Sequence, residues 1–410
     1  METAYSQNSS IKTHSLSNLW RTAERGGYPA ALWRLPKSSE KQLIIDLSGE
    51  DRRLRIDLEE LPAGFAIGPF LNPECDQTRF LRADLYFSFN SEEQLVAEET
   101  ALHADFWRIQ AFEDDAEEEP EEAVSYSPVA PHHGPATASE REKFEDAVRH
   151  AVSEMKMGAF QKVVLSRRKW IELPRRYDHV AAFNRLCDAY PHAFVSLVSL
   201  PETGSVWLGA TPELLVSQDQ AGTFRTMSLA ATQSATDTNG HAIPLEEARW
   251  SHKEIEEQAL VSRYVIECFK KIRLREYLES GPRTVRAGNL LHLRTDFKVD
   301  TQAVGFPQLA TVMLDLLHPT SAVCGTPKSS ALRFLEHYEA YDRGYYSGYL
   351  GPVNINQETH LFVNLRTMRI EDDEATLFAG AGITEDSVPE QEWLETEMKC
   401  QTLLSALSLS

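Results

Sequence analysis

The 410-residue chain has no apolar run approaching the ~20 residues that span a bilayer, so no helical membrane anchor is expected. It has no excess of positive charge. Its 41 Lys and Arg stand against 62 Asp and Glu, a net charge of −21, which argues against a general nucleic-acid binder. Cysteines are few. Cys75, Cys187, Cys268, Cys324 and Cys400 are scattered, odd in number and without a CxxC pair, and they read as reduced thiols in a cytoplasmic protein. Met1 to Trp20 lacks the charged, apolar and small-residue succession of a signal peptide. No internal repeat is visible.

What is present is a globular composition, 42% hydrophobic, in a chain longer than one simple core sustains. Two domains or one large composite domain are expected. Much of the negative charge is local. The run Glu113-Asp114-Asp115-Ala116-Glu117-Glu118-Glu119-Pro120-Glu121-Glu122, followed by a stretch rich in Pro, Ser and His, reads as an exposed, poorly ordered linker over 113–138. His132 and His133 within it have no third ligand spaced to hold a metal. The linker sets off residues 1–112, which carry strand-like runs such as Leu43–Leu47 and Ala83–Phe89 but no chemistry-bearing motif, from residues 139–410.

After the linker, Ser139-Glu140-Arg141-Glu142 has the capping-box pattern, and Phe144, Ala147, Val148, Ala151, Val152 and Met155 follow at helical period. Lys162–Ser166 reads as a strand. Phe194–Leu200, Val206–Leu208, Leu214–Val216 and Phe224–Leu229, separated by turns at Pro201–Gly204 and Gly222, read as a meander in one sheet with one buried face. A long helix is expected from about Leu245 to Leu278, another near Pro327, strands from Tyr346 to Ile370, and a final helix.

The most informative stretch is Phe378-Ala379-Gly380-Ala381-Gly382-Ile383, with Glu392-Trp393-Leu394-Glu395-Thr396-Glu397-Met398-Lys399 ten residues on. Gly380 and Gly382 end an apolar run, where bare backbone can approach a ligand and offer N–H groups to an anion. Glu392, Glu395 and Lys399 share one helix face at three- and four-residue spacing. Two carboxylates suit a hard cation such as Mg²⁺, and a lysine beside them suits a carboxylated substrate. The same spacing also serves a solvated helix with ordinary ion pairs.

Seven segments, in order over about residues 140–405, decide between these readings. They are Phe160–Arg167 (FQKVVLSR), Leu208–Leu215 (LGATPELL), Ser228–Thr232 (SLAAT), Lys253–Val261 (KEIEEQALV), His318–Lys328 (HPTSAVCGTPK), Tyr341–Gly344 (YDRG) and the C-terminal pair just described. Together they resemble the chorismate-utilising enzymes, and most closely the isochorismate synthases. The resemblance implies an α+β fold of layered, mostly antiparallel sheets with outer helices, both halves of the chain forming one composite domain. It implies chorismate as the small-molecule substrate, a cytoplasmic setting and a monomer, with no nucleic-acid or membrane partner.

In that family Lys162 is the general base that activates water and Glu213 the acid that protonates the leaving hydroxyl. A lysine serves so only where burial or neighbouring cations lower its pKa. By the same resemblance Glu257, Glu392 and Glu395 hold Mg²⁺ at the ring carboxylate. Arg366 and Lys399 bind the other carboxylate or its enolpyruvyl chain, with Gly380 and Gly382 adding backbone donors. Ala231, Thr232, His292, Ala322 and Tyr346 line the pocket.

Ammonia-using relatives carry Gln where Lys162 stands, and aminodeoxychorismate synthases carry Lys where Ala230 stands. Water is therefore the expected nucleophile. Salicylate synthases, which go on to eliminate pyruvate, usually carry Thr in place of Ala322, which favours stopping at isochorismate. Tyr346 and Leu365 also occur in the salicylate-forming branch, so that activity is the alternative, followed by a non-catalytic chorismate-binding paralogue. Two residues depart from the family pattern: Ala231 stands for the usual Gly and Gln258 for the common His. The product is expected to feed menaquinone or siderophore synthesis.

Overall fold

The computed structural model describes residues 5–6, 15–101, 108, 112, 138–175, 177–237, 241–287, 290–339 and 341–407. The expected acidic linker, apart from Ala138 at the start of the next helix, and His132–His133 lie outside them.

The first third supplies β1 (Tyr5–Ser6), α1 (Leu16–Gly26), β2 (Ala30–Arg34), β3 (Lys41–Ile45), β4 (Arg53–Leu54), β5 (Gly64–Gly68), β6 (Thr78–Arg82), β7 (Leu85–Phe89) and β8 (Leu95–Ala101). The middle supplies α2 (Ala138–Lys156), β9 (Lys162–Glu172), α3 (His179–Ala189), β10 (Phe194–Leu200), β11 (Ser205–Thr211), β12 (Leu214–Gln218), β13 (Thr223–Ser234) and α4 (His252–Lys271). The last third supplies β14 (Leu278–Ala287), β15 (Leu290–Asp300), α5 (Leu309–Leu317), β16 (Gly325–Thr326), α6 (Lys328–Tyr338), β17 (Tyr349–Val353), β18 (Thr359–Val363), β19 (Thr367–Glu371), β20 (Glu374–Ile383) and α7 (Pro389–Ala406).

The strands form two antiparallel sheets. One runs β1-β8-β7-β3-β2-β10-β11-β19-β20-β9-β16 and the other β14-β15-β13-β12-β18-β17-β5-β6-β4. The sheets face each other across an apolar layer that includes Trp33, Phe65, Phe194, Trp207, Phe362 and Phe378. Phe194 from one sheet stacks on Phe362 from the other at 4.2 Å between ring centroids. Helices pack on the sheets: α1, α2, α3, α6 and α7 on the first, with α6 against its β9–β16 end, and α4 and α5 on the second. The architecture is α+β, as expected. Strands from residues 30–101 are built into both sheets: β2 pairs with β10, and β5 with β17.

Two expectations need correction. The meander does not stay in one sheet. β10 and β11 belong to the first, β12 and β13 to the second, and the chain changes layer at Pro212–Glu213. Proline withholds a ladder donor there, which makes the break natural. The helix expected over 245–278 is shorter. Ser251 and Glu254 form a reciprocal capping box that starts α4 at His252, Arg273 takes a positive φ of 59° just past its end, and Leu278 already opens β14. The hairpin β14–β15 and helices α3 and α5 had no counterpart in the sequence reading. Among the described residues no helix is long and apolar enough to cross a membrane.

Candidate active site

Two of the places where the chain passes between the sheets open on the same cleft. Glu213 lies where β11 passes to β12, and Arg366 where β18 passes back to β19. Between them is a cavity of about 390 Å³, closed on its other sides by the start of β9, the glycines of β20, strands β13 and β15, and the helices α4 and α7. Of the fourteen residues singled out from the sequence, all but Glu392 line it.

Lys162 opens β9 and is 1% exposed. Its Nζ donates to Glu257 Oε1 at 2.6 Å, reaching across from the first turns of α4. Gly382 makes room for this pair: a Cβ there would sit 2.9 Å from Glu257 Oε1 and 3.1 Å from Lys162 Cε. Burial opposes charge on Glu257, but Lys162, with Lys399 and Lys253, outweighs it and holds the carboxyl below its usual range. Glu213 is 5% exposed and makes no salt bridge among the described residues. Burial pushes its carboxyl up to about 8, against the pull of Lys162. One carboxyl in this cleft is therefore held protonated at neutral pH while another is held ionised.

The far wall carries a second linked group. Arg366 Nη2 lies 2.9 Å from His292 Nε2, and His292 Nδ1 lies 2.9 Å from the Ala231 carbonyl and 3.3 Å from Thr232 Oγ1. Burial, reinforced by Arg366, pushes the His292 imidazolium down to about 3, so the ring is neutral. It donates through Nδ1 to Ala231 and accepts from Arg366 through Nε2. The histidine thereby aims the guanidinium. Burial lowers the pKa of Arg366 to about 10. Ala231 holds a left-handed φ of 60°, the conformation that favours glycine.

At the mouth, Lys399 Nζ donates to Glu395 Oε1 at 2.7 Å and to the Gly380 carbonyl at 2.8 Å. The contact shown at Gly380 is thus through its carbonyl, whereas its N–H was the expected donor. A Cβ on Gly380 would lie 3.0 Å from the Tyr346 hydroxyl, so its bareness makes room for that ring. Glu392 is buried behind the wall and accepts from Lys253 Nζ at 3.2 Å. Burial raises its pKa, with the nearby Glu395 adding to the effect.

The three carboxylates expected to hold a cation thus each face an ammonium: Glu257 with Lys162, Glu392 with Lys253, Glu395 with Lys399. As a donor set, three carboxylates fit a hard divalent ion. Their present arrangement balances charge with lysines, and among the described residues no three His, Cys, Asp or Glu groups converge on a metal position. Lys253 had no assigned role in the sequence reading. The available signal was its place on α4, four residues before Glu257 and on the same face. Ser347 and Phe378 also line the cleft and were not anticipated.

Gln258, the departure beside Glu257, points away from the cleft. Its Nε2 donates to Ser228 Oγ at 2.9 Å and Thr295 Oγ1 at 3.1 Å, which ties α4 to β13 and β15.

A family model described as chorismate binding enzyme matches residues 69–408. Isochorismate synthase EntC of Escherichia coli (strain K12) is 30% identical over 275 residues, 66% of this chain and 68% of that protein. The vibriobactin-specific isochorismate synthase of Vibrio cholerae is 28% identical over 275 residues, 65% of this chain and 67% of that protein. The salicylate biosynthesis isochorismate synthase of Pseudomonas aeruginosa is 32% identical over 294 residues, 68% of this chain but only 58% of the relative's length. Among solved structures, the menaquinone-specific isochorismate synthase MenF of Escherichia coli superposes with a TM-score of 0.74 at 21% identity, covering 93% of this chain and 89% of that one, and shares the fold.

Proposed function

Since the chain belongs to the chorismate-binding enzyme family, we propose that it is an isochorismate synthase, an isomerase that moves the ring hydroxyl of chorismate from C4 to C2. The observation that carries this reading is the acid–base pair in one cleft: Glu213, protonated up to about pH 8, and Lys162 at the start of β9. A carboxyl held protonated beside an amine in one cleft supplies the acid and the candidate base that an addition–elimination needs.

In this mechanism Lys162 takes a proton from water as the water oxygen bonds to C2. The ring double bonds shift, the C4–O bond breaks, and Glu213 gives its proton to the departing hydroxyl. One water enters and one leaves, so the net change is an isomerisation. Arg366, aimed by neutral His292, grips one substrate carboxylate. Lys162 donates to Glu257 here, so its ammonium has to give up a proton to solvent, and not only leave Glu257, before the amine can accept one from the attacking water. Glu257, Glu392 and Glu395 would hold Mg²⁺, which when bound would offset the negative charge where the ring carboxylate meets the protein carboxylates. The enzyme is expected to act in the cytoplasm, in a route to a siderophore or menaquinone.

Salicylate synthase is the second reading, because Tyr346 and Leu365 both line the cleft. Ala322 in the same wall speaks for release of isochorismate. The test is incubation with chorismate and Mg²⁺ in H₂¹⁸O. Isochorismate carrying one ¹⁸O is the expected product. Unchanged chorismate would reject the reading, and stoichiometric salicylate and pyruvate would replace it with the second.

A further inference from the structure

The sequence motif Tyr341-Asp342-Arg343-Gly344 has no part in the chemistry above, yet Arg343 is buried with its side chain 1% exposed. Its guanidinium meets Glu339 Oε2 at 2.7 Å through Nε, the Val164 carbonyl at 2.7 Å through Nη2 and the Val323 carbonyl at 2.9 Å through Nη1. Glu339 Oε1 in turn accepts from the Ser166 N–H at 2.7 Å and the Ser166 hydroxyl at 2.9 Å. The Phe70 ring covers the guanidinium at 4.2 Å.

These contacts fall on one edge of β9, where β16 pairs with it for only two residues, Thr326 with Lys162 and Gly325 with Val163. The Val164 N–H still reaches the Cys324 carbonyl at 3.0 Å. If that register continued, the Cys324 N–H would meet the Val164 carbonyl and the Ala322 carbonyl would meet the Ser166 N–H. Neither bond forms. The N–H groups of Val323 and Cys324 turn back to the Thr320 carbonyl at 3.1 and 3.0 Å. The two vacated positions on β9 are filled by side chains, Arg343 on the Val164 carbonyl and Glu339 on the Ser166 N–H. Ala322 and Val323, freed from the ladder, line the cleft opposite the same strand that carries Lys162.

We propose that the Glu339–Arg343 ion pair is a positioning device that stands in for two strand residues on the edge of β9 and so holds the Ala322 turn out of the sheet and in the cleft wall. Arg343 is a positioning residue and touches no substrate. The inference rests on reading the cleft as a chorismate site.

The device has a geometric requirement. A flat guanidinium can bind a carboxylate on one side and two carbonyls on the other, whereas a lysine ammonium is a point donor that cannot span them. The test uses Arg343→Lys, which keeps the charge, and the charge-neutral double variant Arg343→Gln with Glu339→Gln, which leaves no buried ion unpaired. Both should keep the far-ultraviolet spectrum of the parent. Three changes are expected in each. Hydrogen exchange at the Ser166 amide should quicken about tenfold or more as its edge loosens. KM for chorismate should rise about tenfold with kcat changed much less, since a wall misplaced by about 1 Å costs binding and orientation. The effect of Ala322→Thr on the ratio of salicylate to isochorismate should shrink in the Arg343→Lys background, because the turn is no longer held in place.

Parental exchange and parental KM in a folded variant would overturn the proposal. So would an Ala322→Thr effect that simply adds to that of Arg343→Lys. If the parent protein does not convert chorismate, the functional reading fails by itself, and Ser166 exchange in the two variants still decides whether the ion pair holds the edge.

Discussion

At the scale of single residues, Glu213 and Lys162 make the sharpest demands. Glu213 is a carboxyl whose folded pKa, about 8, stands above its ordinary 4.5 because burial disfavours the anion. Its proposed acid role needs the proton, which is held below that value and lost above it, so kcat should fall on the alkaline side with a midpoint near pH 8, measured as a pH–rate profile. The same shift works against stability as pH rises. Below about 4.5 the group is protonated in both folded and unfolded chains. Between there and about 8 the unfolded chain releases the proton and the folded one does not, so folding loses stability progressively. Glu213→Gln, which cannot ionise, should therefore gain on the parent by up to about 4 kcal/mol between pH 5 and pH 9 in urea denaturation. It should also lose turnover while still binding chorismate, as should Lys162→Ala, each by on the order of 10²–10⁴ in rate. A pH-independent difference in stability would show that Glu213 does not titrate as described. Ala231 is the other residue with a clear cost. Its left-handed φ of 60° strains a side chain that has a Cβ, and Ala231→Gly should raise stability by about 0.5–1 kcal/mol in the same assay.

At the scale of elements, the site is a meeting of ends. β9 begins with Lys162, α4 begins just before Glu257, and the layer changes at 212–213 and 364–366 deliver Glu213 and Arg366. The carboxylates come from two helices, and their lysine partners are already in place. Glu257→Gln and Glu395→Gln should each weaken Mg²⁺ binding in calorimetric titration, and EDTA should suppress turnover reversibly. Heat of Mg²⁺ binding unchanged in both variants would remove these carboxylates from the ligand set. The Ala322 turn is the element that bears on product. Ala322→Thr places a hydroxyl in the cleft wall and should raise salicylate and pyruvate above the parent's trace, measured by chromatography. An unaltered product ratio would separate this position from product choice.

At the scale of the whole molecule, the N-terminal third is part of both sheets. Its strands extend the first sheet beyond β10 through β2, β3, β7 and β8 and the second beyond β17 through β5 and β6. Deleting residues 1–112 would leave two long, unpaired edges and uncover inter-sheet core residues such as Phe362 beside Trp33 and Phe65. The truncated chain should be insoluble or aggregate on expression, as judged by sedimentation and size-exclusion chromatography. A folded, monodisperse product would show that residues 113–410 are self-sufficient.

The sequence by itself determined the family and the class of fold. The seven segments that carry the resemblance are short and contiguous, and alternation over Phe194–Leu200 or the pattern before Pro327 is local too. Local signals also failed for local reasons. β14 carries Gly281-Pro282 and only Leu278 and Val285 as large apolar residues, on an edge, so it offers little periodicity, and the charged pattern around α4 ran past both of the helix's true ends. Only the tertiary structure decided that the meander divides between two sheets, because a layer change depends on which strands pair across more than a hundred residues. It alone decided that each carboxylate proposed to hold a cation faces a lysine from a distant segment or a neighbouring turn, and that Glu392 lies behind the wall. It also decided that Arg343 and Glu339 occupy a strand's place beside Ser166. Charge balance and ladder register are properties of groups brought together in space. Spacing along the chain carries no record of them until the sheets have closed.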